Sequence, residues 1–350
     1  MRKRLLFLAC CAGLPFLGTE KLIAQTPPAL SLQVGGGTAQ LTVSGEVGSP
    51  CQVLYATTLG DTNQWLPLAN ITFLSPSLQV GDPLSPASTR YYRTLTIVPS
   101  NMVWVSAGTF AMGSPTNEVE RNTNEVQHSV TFTKGFYIGK YLVTQGSYSS
   151  LMNTNPSYFN TNNSFPLDLT RPVEQVAWFD ASNYCYRLTQ QEQAAGRIFT
   201  NWAYRLPTEG EWEYACRGGT TNPFCYGNDL RSGMANFNAE YEYVGGTGTV
   251  FNASGIVTNR TTPVGSYQPN NWGLFDTVGN VWEWCQDWFG NYPASPVTDP
   301  QGPPSGTARV FRGGALNTTG RFCRSAFRNS YNPSSRFNTV GFRVVLAYSP

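Results

Sequence analysis

The chain has 350 residues, which exceeds the usual length of one domain and favours two. Charged residues make up 13% of it and aromatic residues a further 13%, a composition that permits a large aromatic core and argues against intrinsic disorder. The formal net charge is +2, and no clustered basic segment indicates nucleic-acid binding.

The N-terminus has the pattern of a secretory signal peptide. Residues 1–4 are mostly basic, and residues 5–18 form an apolar stretch, interrupted by a proline, that is too short to span a bilayer. We therefore expect residues 1–25 to be removed and the protein to be secreted, periplasmic or held at the cell surface. Cys10 and Cys11 leave open a lipoprotein anchor. No later stretch is long and apolar enough to predict a membrane span.

Cysteine and histidine usage limits the possible chemistry. Six of the eight cysteines lie beyond the signal peptide, and in an exported protein some of them are expected to pair. His128 is the single histidine, which excludes His-rich zinc sites, iron sites with two histidines and most histidine-based catalytic triads. The six cysteines are Cys51, Cys185, Cys216, Cys225, Cys285 and Cys323.

Residues 28–99 have the pattern of a small all-β domain. Leu30–Val34 and Ala39–Ser44 alternate apolar and polar residues on either side of a glycine turn, and Cys51–Ala56 and Arg90–Ile97 continue the pattern. The segment loosely resembles fibronectin-type or immunoglobulin-like β-sandwich modules. We expect it to serve in spacing or adhesion, because none of its residues has an obvious chemical function.

Val98–Asn101 is the expected linker to a second domain, residues 102–350, in which the composition changes. Met102–Gly113 predicts two strands joined by a glycine turn, and Val130–Gly139 predicts a hairpin. Thr144 has the position of an N-cap for a short helix.

Two longer helices are predicted in the middle of the chain. Residues 178–195 place apolar side chains on one face of a helix. Thr208 and Glu211 form a capping-box pattern for the second helix, and Gly218 ends it. The acidic residues in the first turns of that helix are assigned to capping and to the helix dipole; they are Glu209, Glu211 and Glu213.

Residues 220–350 show no long helical period. Short strand-like runs, such as Arg309–Arg312 and Gly341–Ala347, lie between glycine, asparagine and proline turns. Few helices combined with many short strands and loops predict an α+β fold with little regular secondary structure for the second domain.

The segment Gly273–Trp288 contains three of the nine tryptophans. Asp276 and Glu283 flank a turn at Gly279, and two such carboxylates can wrap the chain around a hard cation, with backbone carbonyls as further ligands. The alternative is that the tryptophans belong to the core and that Glu283 pairs with an arginine. The spacing alone does not separate these two interpretations.

Seven segments, in one order, resemble the formylglycine-generating enzyme family, also called sulfatase-modifying factors. The resemblance covers residues 102–347, and it is the order of all seven segments that makes it specific. The segments are Met102–Gly113, Arg171–Trp178, Tyr204–Gly219, Thr262–Gly265, Gly273–Trp284, Arg312–Gly314 and Gly341–Arg343.

This resemblance implies a fold akin to C-type lectins and one or two structural calcium ions. It also implies the family chemistry, in which active members bind copper through two cysteines and use O2 to oxidise a cysteine of an unfolded sulfatase to formylglycine. Both implications are expectations for this chain.

The calcium ligands that the resemblance implies are well matched at one site. They are the side chains of Asp276 and Glu283 and the carbonyls of Gly279 and Val281, with Asp276 at a position where the family commonly has asparagine. At a second site Asn236 and the carbonyl of Phe237 match, but the later acidic segment is not clear.

The catalytic residues that the resemblance implies are missing. The family enzymes have a serine directly after Arg-Gly-Gly and then two cysteines five residues apart, whereas this chain has Ala315, then Asn317 or Thr318, and Gly320. A single thiol holds copper(I) poorly, so copper is not expected. The nearby Cys323 is similar to a structural cysteine of the family, which implies a disulfide between Cys216 and Cys323.

Two further residues are candidates for a binding groove. Trp282 and Arg324 either line such a groove or are packed in the core. The favoured function is a non-catalytic, calcium-stabilised module that binds a peptide, protein or glycan. The alternatives are an oxidase that acts on a sulfatase cysteine or another thiol, and a structural role in a surface assembly.

Overall fold

The computed structural model describes residues 27–35, 38–57, 65–83, 90–96 and 99–349. The predicted signal peptide and the two candidate lipoprotein cysteines lie outside these residues. Within the described ranges, no helix combines the length and the apolar character that a membrane crossing requires.

The N-terminal region has these strands: β1 (Ala29–Gly35), β2 (Thr38–Ser44), β3 (Pro50–Ala56), β4 (Leu66–Thr72), β5 (Ser77–Pro83) and β6 (Tyr91–Leu95). They form two antiparallel sheets, in the orders β1-β2-β5 and β4-β3-β6. Leu41, Val43, Val53 and Phe73 are fully buried in one core that both sheets share. The region is therefore built from strands; a fibronectin-type or immunoglobulin-like sandwich remains a prediction.

The second region combines short strands with three α-helices. The helices are α1 (Gln145–Met152), α2 (Trp178–Ala194) and α3 (Glu209–Arg217). The strands are β7 (Met102–Val105), β8 (Gly108–Met112), β9 (His128–Phe132), β10 (Phe136–Gly139), β11 (Trp202–Arg205), β12 (Tyr241–Val244), β13 (Gly248–Phe251), β14 (Trp282–Trp288), β15 (Val297–Thr298), β16 (Arg309–Arg312), β17 (Asn329–Tyr331), β18 (Val340–Gly341) and β19 (Val345–Tyr348).

Two four-stranded sheets carry the core of this region, in the orders β11-β19-β10-β7 and β17-β16-β14-β18. A three-stranded sheet, β15-β9-β8, and the hairpin β12-β13 complete it. Trp104, Trp202, Trp284 and Phe342 belong to the largest apolar cluster, which lies between the two larger sheets and α2. The mixture of helix and short strand agrees with the α+β class predicted from the sequence.

The predicted helix caps are confirmed. The hydroxyl of Thr144 accepts a hydrogen bond from the N–H of Ser147 at the start of α1. Thr208 and Glu211 form the predicted reciprocal capping box of α3, and Gly218 ends that helix in the left-handed conformation.

Two tryptophans connect the N-terminal region to the two edge strands of one sheet. The indole N–H of Trp104, in β7, donates to a carboxylate oxygen of Glu46 at 2.9 Å. The indole N–H of Trp202, in β11, donates to the hydroxyl of Thr72 at 2.8 Å. At Gly135 a Cβ atom would lie 2.2 Å from the Trp104 ring, so a glycine is required for this close approach. The N-terminal strands are thereby fixed against β7 and β11.

Candidate functional site

The loop before β14 makes a tight turn in which three residues have the left-handed backbone conformation. Asp276, Gly279 and Asn280 all have positive φ angles, of 56°, 77° and 65°. A Cβ atom at Gly279 would lie 2.4 Å from the carbonyl oxygen of Asn236, so any larger residue would separate the two segments. The turn therefore holds the 236 and 279 segments together and orients Asp276 inward.

Asp276 is a buried carboxylate without an ion-pair partner among the described residues. Its side chain is 3% exposed and accepts one short hydrogen bond, from the N–H of Gly265 at 2.7 Å. Burial raises the pKa of Asp276 to about 6; the charge of Glu283 contributes to the rise, and Arg343 opposes it. A bound cation would stabilise the ionised form of this group.

Glu283 is paired with an arginine, as the alternative interpretation of the sequence proposed. Its Oε2 atom is 2.5 Å from Nε of Arg343, and its Oε1 atom is 2.7 Å from Nη2. The indole N–H of Trp212 also donates to Oε2, at 2.9 Å. Oε2 is therefore fully used, while Oε1 keeps one free lone pair. The two carboxylates and one guanidinium carry a net charge of −1, which a hard cation at Asp276 would neutralise.

The residues of the second predicted calcium site make hydrogen bonds within the protein. Asn236 is 1% exposed, its side-chain oxygen accepts a hydrogen bond from the hydroxyl of Thr258 at 2.6 Å, and its amide donates to the carbonyl of Arg260. Phe237 lies in an apolar cluster. Residues 251–260 contain neither aspartate nor glutamate. Asn236 and Phe237 thus have no carboxylate beside them from that segment, and the second calcium site stays a prediction.

In the segment that the resemblance aligns with the thiol pair of the family enzymes, a threonine hydroxyl makes a hydrogen bond to the backbone. The Thr318 hydroxyl accepts a hydrogen bond from the N–H of Ala315 at 3.0 Å and lies 3.6 Å from the sulfur of Cys323. Cys323 is fully buried, and burial raises its pKa to about 12. A single protonated thiol does not fit copper(I), which requires thiolates.

The expected Cys216–Cys323 disulfide is absent, and all six cysteines of the described ranges are free thiols. The sulfur of Cys216 faces the hydroxyl of Ser325, at 3.7 Å, and the carbonyl of Thr277, at 3.6 Å. Cys323 is directed instead toward Thr318. The family resemblance implied Cys323 as the partner of Cys216, whereas the side chain that contacts Cys216 is Ser325, two residues further along the chain.

Neither Trp282 nor Arg324 lines an open groove, which corrects that candidate assignment. Trp282 is 6% exposed and packs edge-on against Phe311, with ring centroids 5.0 Å apart. Arg324 has no exposed surface, and its guanidinium donates to both carboxylate oxygens of Glu125, at 2.9 and 2.8 Å. Both residues stabilise the core, the alternative that the sequence left open.

A buried charge network joins α3 to the C-terminal segment. Glu209 accepts hydrogen bonds from Arg312, at 2.6 Å, and from Arg328, at 2.7 and 2.6 Å. Glu213 accepts from Arg312 at 2.5 Å and from Arg217 at 2.9 Å. Burial opposes the ionisation of Glu209, but the two arginines outweigh it and hold its pKa below the usual range. Glu209 and Glu213 therefore do more than cap α3, because they also join it to the C-terminal segment. Their i,i+4 spacing places both on one face of the helix.

An arginine lies between two tryptophans, a contact that was not predicted from the sequence. The guanidinium carbon of Arg309 is 3.9 Å from the ring centroid of Trp178 and 3.6 Å from that of Trp288. Trp178 begins α2, and Trp288 is the cross-strand partner of Arg309. The indole N–H of Trp178 donates to the carbonyl of Cys285 at 2.8 Å, which fixes its ring. The contact could have been predicted by pairing the strand-like run Arg309–Arg312 with the segment that ends at Trp288, because such a pairing places Trp288 opposite Arg309.

These three residues line a cavity of about 670 Å³, which we call the Arg309 groove. Its other lining residues include aromatic, amide, hydroxyl and proline side chains, together with a second arginine; they include Ser182, Tyr186, Arg205, Gln286, Gln301 and Pro303. Concave sites that combine aromatic surface with a few polar groups are typical of ligand binding.

A family model described as the sulfatase-modifying factor enzyme 1-like domain matches residues 93–348. The formylglycine-generating enzyme of Streptomyces coelicolor is 39% identical over 183 residues, which are 49% of this chain and 51% of that protein. Chaperone protein LppX of Paenibacillus barcinonensis is 30% identical over 282 residues, which are 71% of this chain and 90% of that protein.

Among solved structures, Treponema denticola variable protein 1 is similar, with a TM-score of 0.57 and 25% identity, over 76% of this chain and 98% of that chain. The match to the formylglycine-generating enzymes spans about half of their length. With the seven ordered segments and a family model that covers most of its length, the chain belongs to the sulfatase-modifying factor enzyme 1-like family.

Proposed function

We propose that this protein is an exported, non-catalytic member of its family that binds a peptide, protein or glycan. The Arg309 groove is its binding site, and a calcium ion at Asp276 stabilises the domain, which has a C-type-lectin-like fold. The N-terminal strands form a sandwich module that positions the groove away from the anchor or surface to which the protein is attached.

The observation that carries this proposal is the replacement of the thiol pair. The positions of Ala315, of Asn317 or Thr318, and of Gly320 carry no sulfur. The hydroxyl of Thr318 accepts a hydrogen bond from the N–H of Ala315. Cys323 is buried and protonated at neutral pH. An enzyme that oxidises thiols through copper needs an accessible pair of low-pKa cysteines.

The relatives support a function other than oxidation. Proteins that match this chain are named formylglycine-generating enzyme, chaperone protein and serine/threonine-protein kinase, so membership of the family is not tied to one activity. The relative named a chaperone protein is matched over 90% of its length. A fold shared among different activities places function in the individual site.

The proposed calcium ion would be held by Asp276, by the carbonyls of Gly279 and Val281, and by the remaining lone pair of Glu283. Calcium supplies charge neutralisation there and no chemistry. Oxygen donors at a tight turn are the type of ligand that calcium prefers. Asn236 and Phe237 are not part of this proposal.

The alternative, a copper-dependent oxidase, makes a different prediction for copper binding. Purified protein is titrated with copper(I) in the presence of a competing chelator, and its thiols are labelled with iodoacetamide without denaturant. We expect no stoichiometric copper and no labelling of Cys323, because burial keeps that thiol protonated. One copper bound per chain with high affinity, lost in Cys323→Ser, would support the oxidase instead.

A further inference from the structure

We propose that the Arg309 groove binds an acidic glycan and that Arg309 recognises a carboxylate of its sugar units. This inference rests on the proposed function, because it names the ligand class of the same groove. Three features of the groove support it: the unpaired N–H donors of Arg309, the charge of the lining residues, and the hydrogen bonds already made by the backbone of the bordering strand.

Arg309 has hydrogen-bond donors that no group of the described residues uses. Its Nη1 donates to the carbonyl of Gln286, whereas Nη2 makes no hydrogen bond to the described residues, and Nε is buried without a partner there. No carboxylate of the described residues lies within ion-pair distance of it. Because Trp178 and Trp288 cover both faces of the guanidinium, a ligand can reach only its edge. A planar guanidinium edge with free N–H groups is suited to carboxylate recognition.

The charge of the groove favours an anionic ligand. Arg205, the other charged residue in its described lining, is already neutralised by Glu211, with two contacts of 2.6 and 2.7 Å. Neither aspartate nor glutamate is found among the described lining residues. Asp287 acts electrostatically on Arg309, but burial raises the pKa of Asp287 to about 7, and the carboxylate of Asp287 accepts a hydrogen bond from the N–H of Glu209. Arg309 therefore has no ion-pair partner among the described residues, and a carboxylate placed beside it would be both hydrogen-bonded and neutralised.

The backbone that borders the groove favours a glycan over an extended peptide. β11 is the edge strand there, but its outer groups are occupied: the Tyr204 N–H donates to the hydroxyl of Thr189 at 2.8 Å, and the Trp202 carbonyl accepts from Gln193 at 2.9 Å. The strand is thus not available to add a peptide as a further strand.

What remains for a ligand in the groove is side-chain chemistry. Gln286 and Gln301 supply amides, and Tyr186, a residue that is 64% exposed, supplies a ring on which a sugar can stack. These groups, beside a free guanidinium edge, match the hydroxyls, rings and carboxylate of a uronic-acid oligosaccharide.

The test measures binding of the full mature chain by calorimetry. The probes are oligogalacturonate, alginate oligomers and hyaluronan oligomers, with methyl-esterified oligogalacturonate as the neutral comparison. We expect at least one acidic probe to bind and the ester, or Arg309→Gln, to weaken that binding by about tenfold or more, the effect of a lost charge-assisted hydrogen bond.

Arg93→Gln is the matched control variant. Arg93 also stacks on a tryptophan, Trp65, at 4.4 Å, and its Nε is also without a partner, but it lies in the N-terminal region. We expect it to leave affinity unchanged. Tyr186→Ala provides a second variant that cannot unfold the core, and Phe251→Ala, with 63% exposure outside the groove, is its control. We expect severalfold weaker binding for Tyr186→Ala alone.

Several results would overturn the inference. These are equal affinity for acid and ester, unchanged affinity in a folded Arg309→Gln, or no binding of any of the three acidic probes. Binding of sulfated glycans alone would overturn the assignment to a carboxylate. Binding of a polyglutamate peptide that Tyr186→Ala weakens would replace the glycan with a peptide and leave the proposed function standing. Copper-dependent oxidation of a thiol would overturn the proposed function itself.

Discussion

The carboxylate of Glu283 and the guanidinium of Arg343 form a bidentate ion pair in which neither side chain has exposed surface. The two residues are 60 positions apart, and each belongs to a segment that the family resemblance identified. Arg343 also donates to the carbonyls of Gly139 and Phe275, both at 3.0 Å. The pair therefore connects β10, the loop of Asp276 and β14, and the geometry of the Asp276 loop depends on it.

Removal of Arg343 should destabilise the protein strongly. We expect Arg343→Met to lower the free energy of unfolding by about 3–5 kcal/mol, because Glu283 is left as a buried, unpaired charge. Urea denaturation followed by tryptophan fluorescence measures this change.

Arg336→Met is the comparison for an exposed ion pair. Arg336 and Asp180 are 48% and 25% exposed, and we expect the loss of their contact to cost less than about 1 kcal/mol. Equal costs for the two variants would show that the burial of Glu283 does not govern the energy. The double variant Glu283→Gln/Arg343→Met should recover part of the loss, because it leaves no charge unpaired.

Calcium should raise the melting temperature, and EDTA should lower it. A ligand at 100 times its dissociation constant stabilises the folded state by about 2.7 kcal/mol. Because the pKa of Asp276 is raised to about 6, the carboxylate must lose a proton to hold the cation, so the increment should be larger at pH 8 than at pH 5. Differential scanning calorimetry at both pH values measures it.

Asp276→Ala should abolish the response to EDTA, whereas Asp229→Ala, an exposed acid outside the loop, should keep it. A wild-type protein whose melting temperature is the same with calcium and with EDTA would exclude the site.

Asp287 should make the protein less stable as the pH rises. Burial raises the pKa of Asp287 to about 7, and the neighbouring Glu209 contributes to the rise. Between the ordinary pKa of 3.8 and about 7, the unfolded chain loses this proton while the folded chain keeps it, so the free energy of unfolding falls. Asp287→Asn removes the titration and keeps an acceptor for the N–H of Glu209.

We expect Asp287→Asn to match the wild type at pH 4 and to exceed it at pH 8 by an amount on the order of 4 kcal/mol. The control is Asp168→Asn, which should have the opposite sign. Hydrogen bonding by Thr170 holds the pKa of Asp168 below its usual value, so its contribution is present above that value and lost in acid. A wild-type stability that is flat from pH 4 to pH 8, with no gain in Asp287→Asn, would refute the burial argument.

The position of Cys216 predicts where a disulfide can form. Its sulfur lies 3.7 Å from the Ser325 hydroxyl, so Ser325→Cys should produce a cross-link between Cys216 and the new thiol at position 325. Non-reducing peptide mapping identifies the cross-link, and the melting temperature should rise if the bond is unstrained. Cys216 and Cys323 should be recovered as free thiols from the wild type; a peptide that joins them would reverse this assignment.

The local elements were predictable because their signals lie within one turn of helix. Thr208 and Glu211 are three residues apart and cap α3 as the sequence indicated. The helix that begins at Trp178 ends within one residue of its predicted end. In both cases a hydrogen bond between near neighbours in the sequence decides the structure.

The pairings across the chain were not predictable in this way. Arg324 contacts Glu125, 199 residues away, and nothing in its neighbourhood in the sequence distinguishes a buried arginine from an exposed one. The Arg309 groove likewise forms where α2, β14 and β16 meet. The expected Cys216–Cys323 disulfide failed for a related reason. The resemblance aligned the segments of the two cysteines, but it did not predict that the Cys323 side chain points toward Thr318.

The central claim, that the domain binds without catalysis, is tested most directly by turnover. Purified protein loaded with copper(I) is offered a peptide with the sequence Cys-x-Pro-x-Arg in the presence of O2, with the Streptomyces coelicolor enzyme as the positive control. Mass spectrometry follows the conversion of the peptide thiol to an aldehyde. We predict that the peptide mass is unchanged by this protein while the control converts it. Aldehyde formation that depends on this protein and on copper would contradict the account.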